Sequence, residues 1–118
     1  MKIMIPVNDD KKTICPSFGR TPFFLLHNSE TQENLFLDNP AAEAQGGAGI
    51  KAAQFVCDNN ADCIITIRCG ENAAEVFKAA EIKIYKNENL DAMENVELLL
   101  DNKLQALTKF HAGFQGLK

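Results

Sequence analysis

Cys15, Ser17 and Arg20 fall in one short turn, punctuated by Pro16, Gly19 and Pro22 and followed at once by the apolar run Phe23-Phe24-Leu25-Leu26. A thiol can bind a soft metal, a hydroxyl can donate one hydrogen bond, and a guanidinium offers an anion a planar fork of donors. Cys69 beside Gly70 repeats the pairing of a thiol with a permissive backbone. Gly46, Gly47 and Gly49 form a third group, in which bare backbone can approach a ligand closely. Gathered in one place, these residues suit an anion that contains a soft metal better than a plain phosphate. Taken singly, each has an ordinary reading: a loop thiol, an arginine paired with an acidic neighbour, and a flexible helix start that lacks both Gly-x-Gly-x-x-Gly and Gly-Lys-Ser/Thr.

Whether they gather depends on the elements around them. Residues 2–7, 22–28 and 35–37 read as three strands joined by short polar connections, which predicts an antiparallel meander. A helix follows the glycines, with Ile50, Ala53, Val56 and Cys57 on one face and Asp58-Asn59-Asn60 at its end. Residues 62–68 are a continuous apolar run of the kind buried on both faces. A second helix carries Ala73, Val76, Phe77 and Ala80 inward, and residues 82–85 make a fifth strand. A third helix begins near Asp91 with Met93, Val96, Leu99 and Leu100 inward, and Asn102 reads as its left-handed cap. Residues 103–110 are expected to add one or two further turns, and 111–118 a mobile tail.

The order β-β-β-α-β-α-β-α predicts a single α/β domain over residues 1–110, with a ribonuclease H-like layout. That layout is a three-layer sandwich: a five-stranded mixed sheet with one antiparallel strand, 22–28, and helices on both faces. Parallel crossovers then send three connections to one edge, 8–21, 40–48 and 68–71, where open α/β sheets bind ligands. Cys15, Ser17, Arg20, Gly46, Gly47, Gly49, Cys69 and Gly70 are predicted to meet there, facing two helix N-termini with unpaired N–H groups. Cys57 and Cys63 fall at the opposite end and read as small apolar residues. His27 reads as structural or surface. His111 reads as solvated in the tail, with metal contact the lesser alternative.

Composition narrows the function classes. At 46% hydrophobic and 24% charged, the 118-residue chain fits an ordinary globular protein. Its formal charge of −4 and only two arginines, Arg20 and Arg68, argue against nucleic acid as a partner. No apolar run approaches the ~18–20 residues of a membrane span, and the N-terminus lacks a signal-peptide pattern. A cytoplasmic protein with reduced thiols is expected, because none of the four cysteines forms a Cys-x-x-Cys pair.

The segments MKIMIPV, FGRTPFFLL, NPAAEAQGGAGIKAAQFV, ENAAEVFKAAEIKIY and NKLQAL, in that order over Met1 to Leu107, resemble the dinitrogenase iron–molybdenum cofactor-binding family. The Phe18-Gly19-Arg20 turn and the Gly46-Gly47-Ala48-Gly49 helix start carry most of the resemblance. Members store, carry or help assemble metal–sulfur cofactors, so the resemblance implies the ribonuclease H-like fold and a cofactor crevice at the strand ends. It adds Phe18 and Asn72 to the expected cofactor-binding residues. Ser17 stands where members often have His, and Gly70-Glu71-Asn72-Ala73 where they usually have Gly-Pro-Asn-Ala.

The leading expectation is a non-enzymatic carrier or assembly factor for an anionic iron/molybdenum–sulfur cofactor or related cluster. Cys15 and Cys69 are its expected metal ligands, and cluster donor and acceptor proteins its expected partners, with a homodimer as a further option. The first alternative is a regulatory or interaction module with no bound cofactor. The second is a thiol-dependent enzyme using Cys69 at a helix N-terminus. A nuclease is disfavoured, since Asp9 and Glu71 do not make the carboxylate cluster that two-metal hydrolysis needs.

Overall fold

The computed structural model describes residues 1–111. Three strands come first: β1 (Lys2–Val7), β2 (Phe23–Asn28) and β3 (Glu33–Asp38). Helices and strands then alternate as α1 (Ala48–Asp58), β4 (Cys63–Thr66), α2 (Glu71–Ala79), β5 (Lys83–Lys86) and α3 (Ala92–Leu100). They build one mixed sheet in the order β3-β2-β1-β4-β5. β2 runs antiparallel to β1 and to β3, whereas β4 is parallel to both β1 and β5.

The pleat divides the core in two, because successive strand residues face opposite ways. Met4, Phe24, Leu26 and Ile64 pack with Ala52, Ala53 and Val56 of α1 and Phe77 of α2. Ile3, Ile5, Leu25 and Ile65 pack with Ala92, Val96 and Leu99 of α3 on the other side. α1 and α2 therefore cover one face and α3 the other. Among the described residues no helix is long and apolar enough to cross a membrane.

Three sequence expectations are corrected. In α1 the buried residues are Ala48, Ala52, Ala53 and Val56, while Ile50 is 41% exposed. Small side chains win that face because α1 lies close against α2: a Cβ on Gly49 would sit 3.8 Å from the Ala73 Cβ. Ala80, expected on the inner face of α2, is exposed, since α2 ends one residue earlier. In α3, Met93 and Leu100 are exposed and Asn95 is fully buried. Asn95 fixes that rotation by donating to the carbonyls of Asn89 and Asp91 and accepting the Glu88 N–H. Asp91 caps the helix through the Glu94 N–H, and Asn102 follows it with a left-handed φ of 61°.

The segment after Asn102 is extended and forms no helical turn. Tyr85 bridges Ala106 in antiparallel fashion; the Lys86 N–H donates to the Gln105 carbonyl, and the Leu107 N–H to that of Ile84. This covers the β5 edge and carries the chain back towards α2. Of the expected tail, 111–118, His111 is instead tied to Gly70 by a parallel bridge, and the rest, from Ala112 onward, lies outside the described residues.

Candidate functional site

Pro6 marks where the site opens. The parallel ladder between β1 and β4 has two registered pairs, Ile3↔Cys63 and Met4↔Ile64, and stops before the proline. Proline has no N–H to continue such a ladder. Its carbonyl accepts the Cys15 N–H instead, Val7 bridges Ile14, and Ala92 N–H donates to Lys12. Residues 8–15 thus fold back as a wedge between β1 and the start of α3. The turn after them, 16–21, leads to the carboxyl edge of the sheet.

That turn is fixed by buried polar groups. The Thr21 hydroxyl donates to the Val7 carbonyl at 2.8 Å. Asn39, 6% exposed, donates to the carbonyls of Gly19 and Thr21 and accepts the Ala41 N–H. Phe18 anchors the turn in the core, meeting Phe24 and Phe77 edge-on at 5.5 and 5.4 Å between ring centroids. Burying such a ring contributes about 1.5–3 kcal/mol, with more from the edge-to-face geometry. A Cβ on Gly19 would lie 3.0 Å from the Gly49 nitrogen, so this glycine is what lets the turn meet the start of α1.

Between them lies a crevice of about 520 Å³. Ser17, Phe18 and Arg20 line one wall, and Gly46, Gly47 and Gly49 the second. Gly70 and Asn72 close the third. Eight of the ten expected site residues therefore meet. Among the further lining residues are two with cationic or titratable side chains, Arg68 and His111. Arg68 could have been found from its place in the 68–71 loop; His111 depends on the extended C-terminal segment, which carries no helical or strand periodicity.

The two thiols are placed differently. Cys15 is buried at 8% exposure, held by its N–H to Pro6, and Cys69 is 1% exposed; neither lines the crevice. The Cys69 thiol contacts the Gly70 carbonyl at 3.5 Å, and burial pushes its pKa up to about 12. This runs against an activated nucleophile at a helix N-terminus, because desolvation outweighs the dipole. The Cys63 thiol is also pushed up to about 12 by burial, and Cys57 is the most open of the four. Among the described residues no three His, Cys, Asp or Glu side chains stand together as a metal cage.

The helix termini differ as well. α1 starts after Gly47, whose φ of 68° suits glycine, and it has no side-chain cap. α2 also lacks a side-chain cap, but its first N–H, on Glu71, donates to the His111 carbonyl at 2.8 Å. The anion-favouring end of α1 is thus the more open of the two. Arg20 is a tether, since its Nη1 donates to the carbonyls of Ala42 and Ala44. Burial, with Arg68 next in effect, holds the His111 imidazole below its ordinary pKa, against the opposing pull of Glu71.

Charge on the crevice is one-sided. Both arginines of the chain line it and, among the described residues, no carboxylate does, although the whole protein has a formal charge of −4. Glu71 lines a neighbouring groove of about 870 Å³ between α2, β5 and the 106–110 segment. That larger groove has Glu71 and Glu75 balanced by Lys78 and Lys83, so it offers an anion no comparable attraction. His27, buried, is structural: its Nδ1 lies 2.7 Å from the Asn34 Oδ1.

Known proteins share this fold over nearly the whole described chain. The orange protein of Desulfovibrio gigas, in its apo form, superposes with a TM-score of 0.83 at 26% identity, over 91% of this chain and 92% of that one. A NifB-like protein from Thermotoga superposes with a TM-score of 0.76 at 27% identity, over 92% and 95%. An uncharacterized protein of Methanocaldococcus jannaschii is 29% identical over 108 residues, 89% of this chain and 90% of the relative. A family model described as dinitrogenase iron-molybdenum cofactor matches residues 1–102, and the chain belongs to that family.

Proposed function

We propose that the protein is a non-enzymatic, cytoplasmic carrier or assembly factor for an anionic metal–sulfur cluster, with the crevice as its cargo site. The observation that carries this reading is the pairing of both arginines with the uncapped α1 N-terminus on a wall without carboxylates. A phosphate site would be satisfied by the same charges. The family and the apo orange protein among its structural relatives favour a metal–sulfur cargo. The strand order supports a ribonuclease H-like assignment.

The donor set fits a cluster that brings its own sulfide ligands. Four thiolates usually hold an iron–sulfur cluster, and this crevice presents none. Arg20, Arg68 and the N–H groups at Gly49 and Ile50 would hold such a cargo by charge and hydrogen bonds. Such a hold is reversible, as delivery to an acceptor protein requires. Cys15 and Cys69 would serve as ligands only after the 15–20 turn or the 68–71 loop had opened. Ser17, Phe18 and Asn72 would shape the site, with Phe18 acting mainly as an anchor. A homodimer would bring two such crevices together, and donor and acceptor proteins would dock at the same edge.

Anaerobic incubation with iron, sulfide and molybdate, then gel filtration and metal analysis, tests the reading. Co-elution of molybdenum and sulfide with the protein is expected, and its loss in Arg68→Gln. A wild-type protein that emerges without metal overturns the carrier role and leaves an interaction module. The enzyme reading is disfavoured by the buried, protonated Cys69.

A further inference from the structure

The net charge of the protein sits on one layer. Residues 88–101, from the turn before α3 to its C-cap, hold five carboxylates and no Lys, Arg or His. The rest of the chain has twelve Lys and Arg against eleven Asp and Glu, so this segment alone makes the formal charge negative, at −4. α3 covers the face of the sheet opposite α1 and α2, and its outer side is open: Leu90, Met93 and Leu100 are 57, 36 and 45% exposed.

Apolar and acidic side chains run side by side there. Met93 and Leu100 are two helical turns apart, about 10 Å along the axis, and so share one ridge. Glu94, Glu97 and Asp101 follow at i, i+3 and i+7 and form the ridge beside it. All three are exposed, and among the described residues no cation pairs with them. The start of the helix is held firmly, since the Leu90 carbonyl accepts the Ile14 N–H and the Ala92 N–H donates to the Lys12 carbonyl.

Two apolar anchors at heptad spacing beside a row of carboxylates match a helix that carries Lys or Arg beside its own apolar row. We propose that the outer face of α3 docks a basic amphipathic helix of a second protein. Charge complementarity selects that occupant. A second copy of this chain, set α3 to α3, would oppose two carboxylate rows, and an anionic lipid surface would be repelled. An interface carried by one nine-residue helix belongs to the small class that suits a transient partner. Docking needs no cargo in the crevice and does not rest on the carrier reading.

The probe is a fluorescein-labelled synthetic helix with leucines at heptad spacing flanked by lysines, titrated with the whole protein and read by anisotropy. Two control peptides have serine for every leucine, or glutamate for every lysine. Wild type is expected to bind the probe at least about tenfold more tightly than either control, with amide shifts confined to residues 90–101. Leu100→Ser and Glu97→Lys, both at exposed positions, should each weaken binding at least about fivefold and leave the urea midpoint near that of wild type. Unchanged affinity in both variants, equal binding of the serine control, or shifts away from α3 overturns the docking face. So does a wild-type dimer in sedimentation that Leu100→Ser dissociates, which would give this face to a second copy. Retention on phosphatidylglycerol vesicles that Leu100→Ser abolishes would give it to a membrane, and overturns the proposal equally.

Discussion

Gly19 rests against the backbone of Gly49: a Cβ built on Gly19 would lie 3.0 Å from the Gly49 nitrogen and 3.1 Å from its Cα. These atoms belong to the first turn of a helix and cannot rotate away as a side chain would. The contact joins the Phe18-Gly19-Arg20 turn to the α1 N-terminus, and so sets the width of the crevice.

Gly19→Ala is therefore expected to destabilise the fold by about 1–3 kcal/mol, the usual cost of overpacking. Gly46 is the control, since a Cβ there meets nothing within 4 Å. Gly46→Ala should stay within about 0.5 kcal/mol of wild type, as surface changes do. Urea unfolding of both variants checks the contrast, and equal midpoints would show that the turn can move off the helix.

Much of this arrangement is legible in the sequence, for identifiable reasons. Short apolar runs bounded by polar turns reveal β1 and β2. The glycine run before a helix and the apolar run before Arg68 bring separate loops to one sheet edge. Helix faces are less legible: Ile50 is more apolar than Ala52, yet helix–helix proximity favours the smaller side chain. The burial of Asn95 carries no apolar signal, because it depends on hydrogen bonds to Glu88, Asn89 and Asp91 in the turn before α3. Cys15 and Cys69 read as crevice ligands from their position along the chain. Their burial follows from the 8–15 wedge and the extended C-terminal segment, neither of which has a periodic signature.

Phe18 should act through stability more than through cargo contact. Removing the ring in Phe18→Ala leaves a cavity between Phe24 and Phe77, with an expected cost of about 3–5 kcal/mol. Phe18→Leu retains most of the volume and should cost less. Thermal unfolding of the two variants tests this, and a Phe18→Ala protein as stable as wild type would place the ring outside the core.

The buried thiols give a signed pH dependence. Cys63 and Cys69 move from an ordinary 9.0 to about 12 in the folded protein, chiefly through desolvation. The unfolded chain releases these protons at lower pH than the folded one, so unfolding becomes easier as pH rises. Their contribution is present in full below about pH 9 and is lost towards pH 12. The urea midpoint should fall between pH 8 and 10.5, less steeply in Cys69→Ala. Iodoacetamide at neutral pH should label Cys57 first and Cys63 and Cys69 last, read by peptide mass; rapid labelling of Cys69 would contradict its burial.

The two arginines should separate stability from binding. Arg20 is tied to the carbonyls of Ala42 and Ala44, so Arg20→Gln loosens the 39–44 loop as well as removing a charge. Arg68 lines the crevice beside His111, and its effect there is electrostatic. Losing a charge-assisted hydrogen bond costs about 1.5–3 kcal/mol, so Arg68→Gln should weaken tetrathiomolybdate binding roughly tenfold to a hundredfold. Its unfolding midpoint should stay near that of wild type, and its affinity should depend less steeply on salt. Arg20→Gln should lower both affinity and midpoint. Parallel titrations at two ionic strengths, with urea unfolding of each protein, test the separation. Equal loss of stability in the two variants would mean that Arg68 also braces the fold, and that the crevice owes its charge selectivity to the α1 N-terminus.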